Sequence, residues 1–469
     1  MKIFSAATLC ATLSSGAVAD PVPAAPPSIP GYRTESGNPI IPGYFADASF
    51  VEHQGLYYIY ATQDPWGGEK LGCWSSSDLK NWSYHDLNWP TKQVCTSPTS
   101  HANMVWAPSV IATASGEFMM YVSVGSEIWV GKAAHPLGPW VNALGDKPLI
   151  PADFRPGFHM IDAEAFTDDD GEVYLYWGSG WEWVNGKCWV VKLDPDLASF
   201  AGAPVDITPS NYFEAPFVLK RDGIYYLMYS QGKTIDDSYR VHYATGRSPL
   251  GPFLEAPNSP VLVKDVDKNI LGPGHHTVFH KDGVHYILYH RHAIPLDPSS
   301  TRRQLCLEEM RFNSSGLIEN IIPSHEGPPL IRNRQFGVEN LASPSRGARA
   351  YASSQRDPLH GADRVIDQNY ATRWAPAPGA SNAWLELDLG ETRAIRRQQI
   401  RFEYPWKAYA FVCEASLNRD EWTSVADRRR DPAGGSPVII ETPLRARYLR
   451  LRFEKTKPLE PSVIEWMVE

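Results

Sequence analysis

The chain is poor in cysteine, has no long apolar run beyond its first residues and carries no surplus of positive charge. Six cysteines in 469 residues are too few for a disulfide-built scaffold. No Cys-x-x-Cys or His-x-x-x-His pattern with zinc-site context occurs. No stretch after the first twenty residues offers the ~18 consecutive apolar residues of a membrane span, so no membrane partner is expected. Lys and Arg number 44 against 53 Asp and Glu, a net charge of −9, which argues against nucleic acid. The one basic run, Arg428-Arg429-Arg430, reads as a solvated loop. Helical periodicity is scarce as well, which leaves an all-β chain.

What is present starts with a leader. Lys2, an apolar stretch from Ile3 to Leu13 and Ala17-Val18-Ala19 have the pattern of a cleaved signal peptide over residues 1–19, so secretion is expected. Cys73, Cys95, Cys188, Cys306 and Cys413 then remain, with Cys73–Cys95 the favoured disulfide because the two bracket one polar loop. Asn81-Trp82-Ser83 and Asn313-Ser314-Ser315 are glycosylation sequons, usable in a eukaryotic source. Sixteen Trp and 22 Tyr suit either a β-rich core or stacking on sugar rings. The length calls for more than one domain.

Five segments share one pattern of an apolar strand, a turn with Gly, and an aromatic strand. They are Phe45 to Tyr60, Ala107 to Tyr121, Ile161 to Tyr176, Phe213 to Tyr229 and His275 to Tyr289. Their spacing of about 50 to 60 residues matches a four-stranded propeller blade, and Asp-Gly at 170–171, 222–223 and 282–283 is hairpin-turn chemistry. These repeats predict a five-bladed β-propeller over 30–335. From about 345 the blade pattern stops, and short strands to residue 469 predict a β-sandwich or jelly roll.

In a propeller the start of each inner strand converges on one mouth of the central channel. Counted back eight or nine residues from each turn glycine, those positions hold Asp47, Ala107, Asp162, Glu214 and His275. Four ionisable groups on otherwise apolar strands point to chemistry, because a buried charge is costly unless paired or used. Two carboxyls facing each other suit glycosidic hydrolysis, one as a base for water and one as a proton donor. Asp47 is the expected base and Glu214 the acid, with Asp162 beside Glu214 raising its pKa. Trp106 is a candidate sugar platform, and Arg291 a candidate fork for a sugar hydroxyl or the acid carboxylate. Asp64, Trp66, Trp181 and Trp183 fall on rim loops without an assigned role.

The run Asn38 to Asp47, then Trp106-Ala107-Pro108, Ile161-Asp162, Phe213-Glu214-Ala215-Pro216 and Gly272-Pro273-Gly274-His275-His276, resembles glycoside hydrolase family 43 in that order. Ala48 departs from it where Pro is common. The resemblance implies inversion, with Asp47 as general base, Glu214 as general acid and Asp162 as modulator. It also implies a channel cation, commonly calcium, held by His275 and waters. One imidazole alone is a poor calcium site, so a shell of water would complete it and its role would be structural or electrostatic; no organic cofactor is implied. Arabinofuranosidase-type members are the nearest in pattern, with β-D-galactofuranosidase, β-xylosidase or a catalytically inactive lectin-like protein as alternatives. Ser353-Ser354-Gln355, Asp367, Thr372-Arg373-Trp374, Trp384 to Gly390 and Tyr448-Leu449-Arg450 resemble a discoidin domain. That resemblance implies sugar binding through loop aromatics, here Trp406 or Tyr409, and a structural calcium on Asp367 and Glu465. A monomer acting on plant or fungal polysaccharide is the expectation.

Overall fold

The computed structural model describes residues 36–100, 104–294, 301–332, 340–454 and 460–469; the expected leader at 1–19 lies outside them. Five antiparallel sheets follow one another along the chain. Their inner strands are Phe45–His53, Val105–Ala112, Glu164–Thr167, Glu214–Arg221 and Gly274–Lys281, for blades 1 to 5. Blades 1 to 4 have four strands and blade 5 has three. The expected five-bladed propeller is therefore present.

The sequence dictates this packing through the parity of its strands. In Leu56–Gln63, Tyr58 and Tyr60 face blade 2 while Tyr57, Ile59 and Ala61 face blade 5. In Val173–Trp177, Leu175 and Trp177 face blade 2 while Tyr174 and Tyr176 face blade 4. A blade is covered on both faces by its neighbours, so both parities must be apolar. The result is five cores, one in each gap between adjacent blades. The fifth joins blade 5 to blade 1 and closes the ring. Trp74, Trp129 and Trp177 are wholly buried in these gaps, and truncating one to Ala should cost about 3–5 kcal/mol. The segment before blade 1 seals the joint. Ile40 N–H donates to the Leu305 carbonyl at 2.9 Å, and the Asn38 side chain accepts from Leu307 N–H at 2.8 Å.

Gln54-Gly55, Asp222-Gly223 and Asp282-Gly283 turn with both residues at positive φ, the hairpin geometry whose twist matches the strands. Residues 340–454 and 460–469 form a six-stranded sheet around two long strands, Asn382–Phe402 and Val438–Glu454. These break register between Asp388 and Arg393. Asn382–Phe402 thus pairs with Arg349–Ala352 at one end and with Val463–Val468 at the other, enclosing a separate core that holds Trp374 and Trp466. This is the expected sandwich.

The sandwich is fastened to blade 1. Tyr44 Oη donates to Glu403 at 2.9 Å, Arg401 Nη1 to the Trp82 carbonyl at 2.9 Å, and Tyr84 N–H to the Ser436 carbonyl at 2.8 Å. Trp406 meets Phe45 edge to face at 5.4 Å.

Two sequence expectations are corrected here. Cys73 and Cys95 are both free thiols, buried in the core between blades 1 and 2. Cys188, Cys306 and Cys413 are buried thiols too, outside any disulfide. Each acts as a small hydrophobe, and burial pushes the Cys73, Cys95, Cys188 and Cys413 thiols up, Cys95 to about 12. Thiol titration in guanidinium should count Cys73 and Cys95 as reactive without prior reduction; reaction only after reduction would restore the disulfide. Tyr409, a candidate glycan contact, is instead a core residue stacked on Phe402 at 4.1 Å.

Candidate active site

A kink repeats at the start of each inner strand. Asp47, Ala107, Asp162, Ala215 and His275 all have positive φ, and register shifts fall at the kinks of blades 1, 2, 4 and 5. A bulge of this kind re-aims side chains, so both the kinked residue and the one before it can face the mouth. Glu214 occupies the earlier position, one residue out of step with Asp47, Asp162 and His275. Hydroxyls from the preceding blade pin the kinks. Thr62 Oγ1 accepts from Ala107 N–H at 2.8 Å, Ser123 Oγ from Asp162 N–H at 3.0 Å, and Ser230 Oγ from His275 N–H at 3.0 Å.

These positions floor a pocket of about 200 Å³ that holds Asp47, Asp162, Glu214, His275 and Arg303. Its walls include Trp66, Trp106, Trp181 and Trp183. Trp106, His159 and Trp181 line up along one side, with ring centroids 5.7 and 4.1 Å apart. The expected Trp106 and the unassigned Trp66, Trp181 and Trp183 are thus all at the site.

Asp47 is buried and ringed by cations. Arg303 Nη1 donates to its Oδ1 at 2.8 Å, His275 Nδ1 lies 3.1 Å from the same oxygen, and Thr62 Oγ1 donates to Oδ2 at 2.8 Å. Burial alone raises its pKa, but Arg303 and His275 outweigh burial and hold it well below the usual carboxylate range. Arg303 is itself fixed by Asp64, to which Nε and Nη2 donate at 2.9 and 2.8 Å. Glu214 sits in the opposite state. Burial raises it, against donation from Tyr239 Oη at 2.7 Å and Ser179 Oγ at 3.0 Å. Asp162 is raised as well, by burial and by the nearby carboxylates of Glu214 and Asp47. Two carboxyls with environments that push their pKa values apart are the pattern of a base and an acid.

His275 lies between these groups, its Nδ1 3.1 Å from Asp47 and 3.8 Å from Asp162. Burial opposes its charge, but the two carboxylates outweigh burial and keep it protonated up to about 9. Among the described residues no three His, Cys, Asp or Glu side chains converge as a metal site. His275 turns its Nδ1 to Asp47, so a channel cation would take its other ring nitrogen and otherwise waters. In the sandwich, Asp367 already faces Arg364 at 3.6 Å and accepts from Thr372 at 2.8 Å. Glu465 accepts from Gln368 N–H at 3.1 Å.

Arg291 is not at the mouth. It is wholly buried, with Nη1 2.9 Å from His325 Nδ1, because strand alternation turns it away from the side that Arg303 faces. The arginine of the site is Arg303, across the ladder from His292. It belongs to no repeat, so repeat reading passed over it. Tyr239, Ser179 and His159 were missed for the same reason.

Comparison with known proteins agrees with this geometry. Residues 36–318 match the family model "Glycosyl hydrolases family 43" and residues 349–464 the "F5/8 type C domain". The chain is 37% identical over 311 residues to the β-D-galactofuranosidase of Aspergillus niger, covering 63% of this chain and 87% of that one. It is 27% identical over 354 residues to the arabinoxylan arabinofuranohydrolase of Bacillus subtilis, covering 64% of this chain and 66% of that protein. A solved structure described as a glycoside hydrolase superposes with a TM-score of 0.77 at 29% identity, over 93% of this chain and 99% of that one. Propeller, paired carboxyls and family model converge on one conclusion: the chain is a glycosidase and belongs to glycosyl hydrolase family 43.

Proposed function

We propose that the protein is a secreted, inverting, exo-acting furanosidase that removes terminal α-L-arabinofuranosyl residues from polysaccharide side chains. The observation that carries this reading is the opposed state of Asp47 and Glu214 in one small pocket. Asp47, kept ionised by Arg303 and His275, takes a proton from water as the water oxygen attacks the anomeric carbon. The glycosidic bond breaks, and Glu214 gives its proton to the leaving oxygen. His275 lies 3.1 Å from Asp47 and 3.8 Å from Asp162, and both His275 and Asp162 act on the pair through their charge. A volume of about 200 Å³, below the ~300–1,000 Å³ of pockets for drug-sized ligands, suits one terminal sugar ring. Trp106 supplies a flat wall for its apolar face.

A second reading, β-D-galactofuranoside hydrolysis, is favoured by the name of the 37% identical relative. β-D-Galactofuranose has the ring stereochemistry of α-L-arabinofuranose with one more carbon. Kinetics on nitrophenyl α-L-arabinofuranoside, β-D-galactofuranoside and β-D-xyloside separate the readings. The expected result is a kcat/KM for the arabinofuranoside at least about tenfold above the other two. A preference for the galactofuranoside selects the second reading, and a preference for the xyloside overturns both. Proton NMR of the first product should show the inverted anomer; the retained anomer would make Asp47 a nucleophile instead of a base.

A further inference from the structure

Beside the catalytic pocket lies a second cleft, about 640 Å³, built by both units. Blade 1 contributes its loop around Pro65 to Lys70, and the sandwich contributes Tyr404, Trp406 and Lys407. We propose that this cleft binds the neutral glycan chain bearing the terminal sugar, so that propeller and sandwich grip one substrate. The proposal rests on the glycosidase reading in naming the ligand a glycan.

Continuity is the first argument. Three chain segments line both cavities with neighbouring residues: Trp66 faces the pocket while Pro65 and Gly67 face the cleft, Trp106 pairs in this way with Met104, and Arg303 with Arg302. The two cavities therefore share a rim, and a chain leaving the pocket over that rim enters the cleft. Charge is the second argument. The cleft carries three acidic residues, Asp64, Glu69 and Asp86, and three basic ones, Lys70, Arg302 and Lys407. Asp64 is held by Arg303, and Lys70 lies 3.8 Å from Asp86. A balanced lining of this sort selects no ionic ligand, but it offers donors and acceptors to hydroxyls. Two half-buried rings, Tyr404 and Trp406, lie 5.4 Å apart, edge to face, on the sandwich side of the cleft. Trp406 is steadied by Phe45, so its position is preset for the apolar face of a sugar.

The test is calorimetric titration of xylotetraose and of α-1,5-arabinotetraose into the full chain carrying Glu214→Ala, which slows turnover by about 10²–10⁴-fold. At least one should bind, and Trp406→Ala in that background should weaken it about tenfold, the value of a well-placed aromatic contact. Trp406 also packs on Phe45, so Lys407→Ala, at an exposed residue 4.1 Å from the Tyr404 ring, is the companion that leaves the interface intact. It should weaken binding about threefold. Binding of neither tetrasaccharide, or binding indifferent to both substitutions, overturns the proposal. Failure to hydrolyse any nitrophenyl furanoside would count against the catalytic reading alone, since the titration needs no turnover.

Discussion

Glu214→Ala should cost about 10²–10⁴-fold in kcat on substrates with poor leaving groups and far less on dinitrophenyl glycosides. On the proposed roles the alanine removes the proton donor, and a dinitrophenolate departs without one. Asp47→Ala removes water activation, which every substrate needs, so its loss should be of similar size and even across leaving groups. The measurement is a plot of log kcat/KM against leaving-group pKa for both variants. If Asp47→Ala spared good leaving groups and Glu214→Ala did not, the two roles would have to be exchanged. Asp162→Asn should leave this plot alone and move the alkaline limb of the rate profile downward. The Glu214 carboxylate disfavours ionisation of Asp162, and repulsion between like charges acts equally in reverse. Removing one charge therefore lets Glu214 lose its proton at lower pH.

Arg303→Leu should be nearly as damaging, through a different route. Its guanidinium bridges Asp47 and Asp64, all three buried. Deleting it leaves two buried carboxylates without their cation, a loss of about 3–5 kcal/mol in stability. Activity should fall by about 10² or more, because burial, no longer opposed by Arg303, would raise Asp47 and protonate the base. The acid limb of kcat/KM should accordingly move to higher pH. Arg303→Lys keeps one charge but loses the fork, so it should fold and restore part of the limb's position. An acid limb unmoved in Arg303→Lys, together with wild-type kcat/KM, would show that Arg303 does not set the base.

The propeller was legible because each blade buries both faces against its neighbours, and that requirement writes itself into the chain as apolar strands around turn glycines. The mouth was legible for a related reason: Asp47, Asp162, Glu214 and His275 are ionisable residues at strand starts where the packing rule asks for apolar ones. Counting back from a glycine nevertheless aligned Glu214 with Asp47. Only the backbone shows that the kink of blade 4 falls on Ala215, since a bulge changes which of two successive residues faces the channel. Arg291 and Arg303 differ in a way that composition cannot show, because the parity of adjacent strands decides which guanidinium reaches Asp47. Cys73 and Cys95 share one hydrophobic core as separate thiols, a matter of Cβ placement that spacing along the chain does not carry. The sequence by itself determined the repeat, the all-β class and the carboxyls at the strand starts, all of which follow from local pattern. Tertiary structure alone decided which cation ionises Asp47, which hydroxyls hold Glu214 and that Trp406 stands beside the catalytic rim, because each depends on residues far apart in the chain meeting in space.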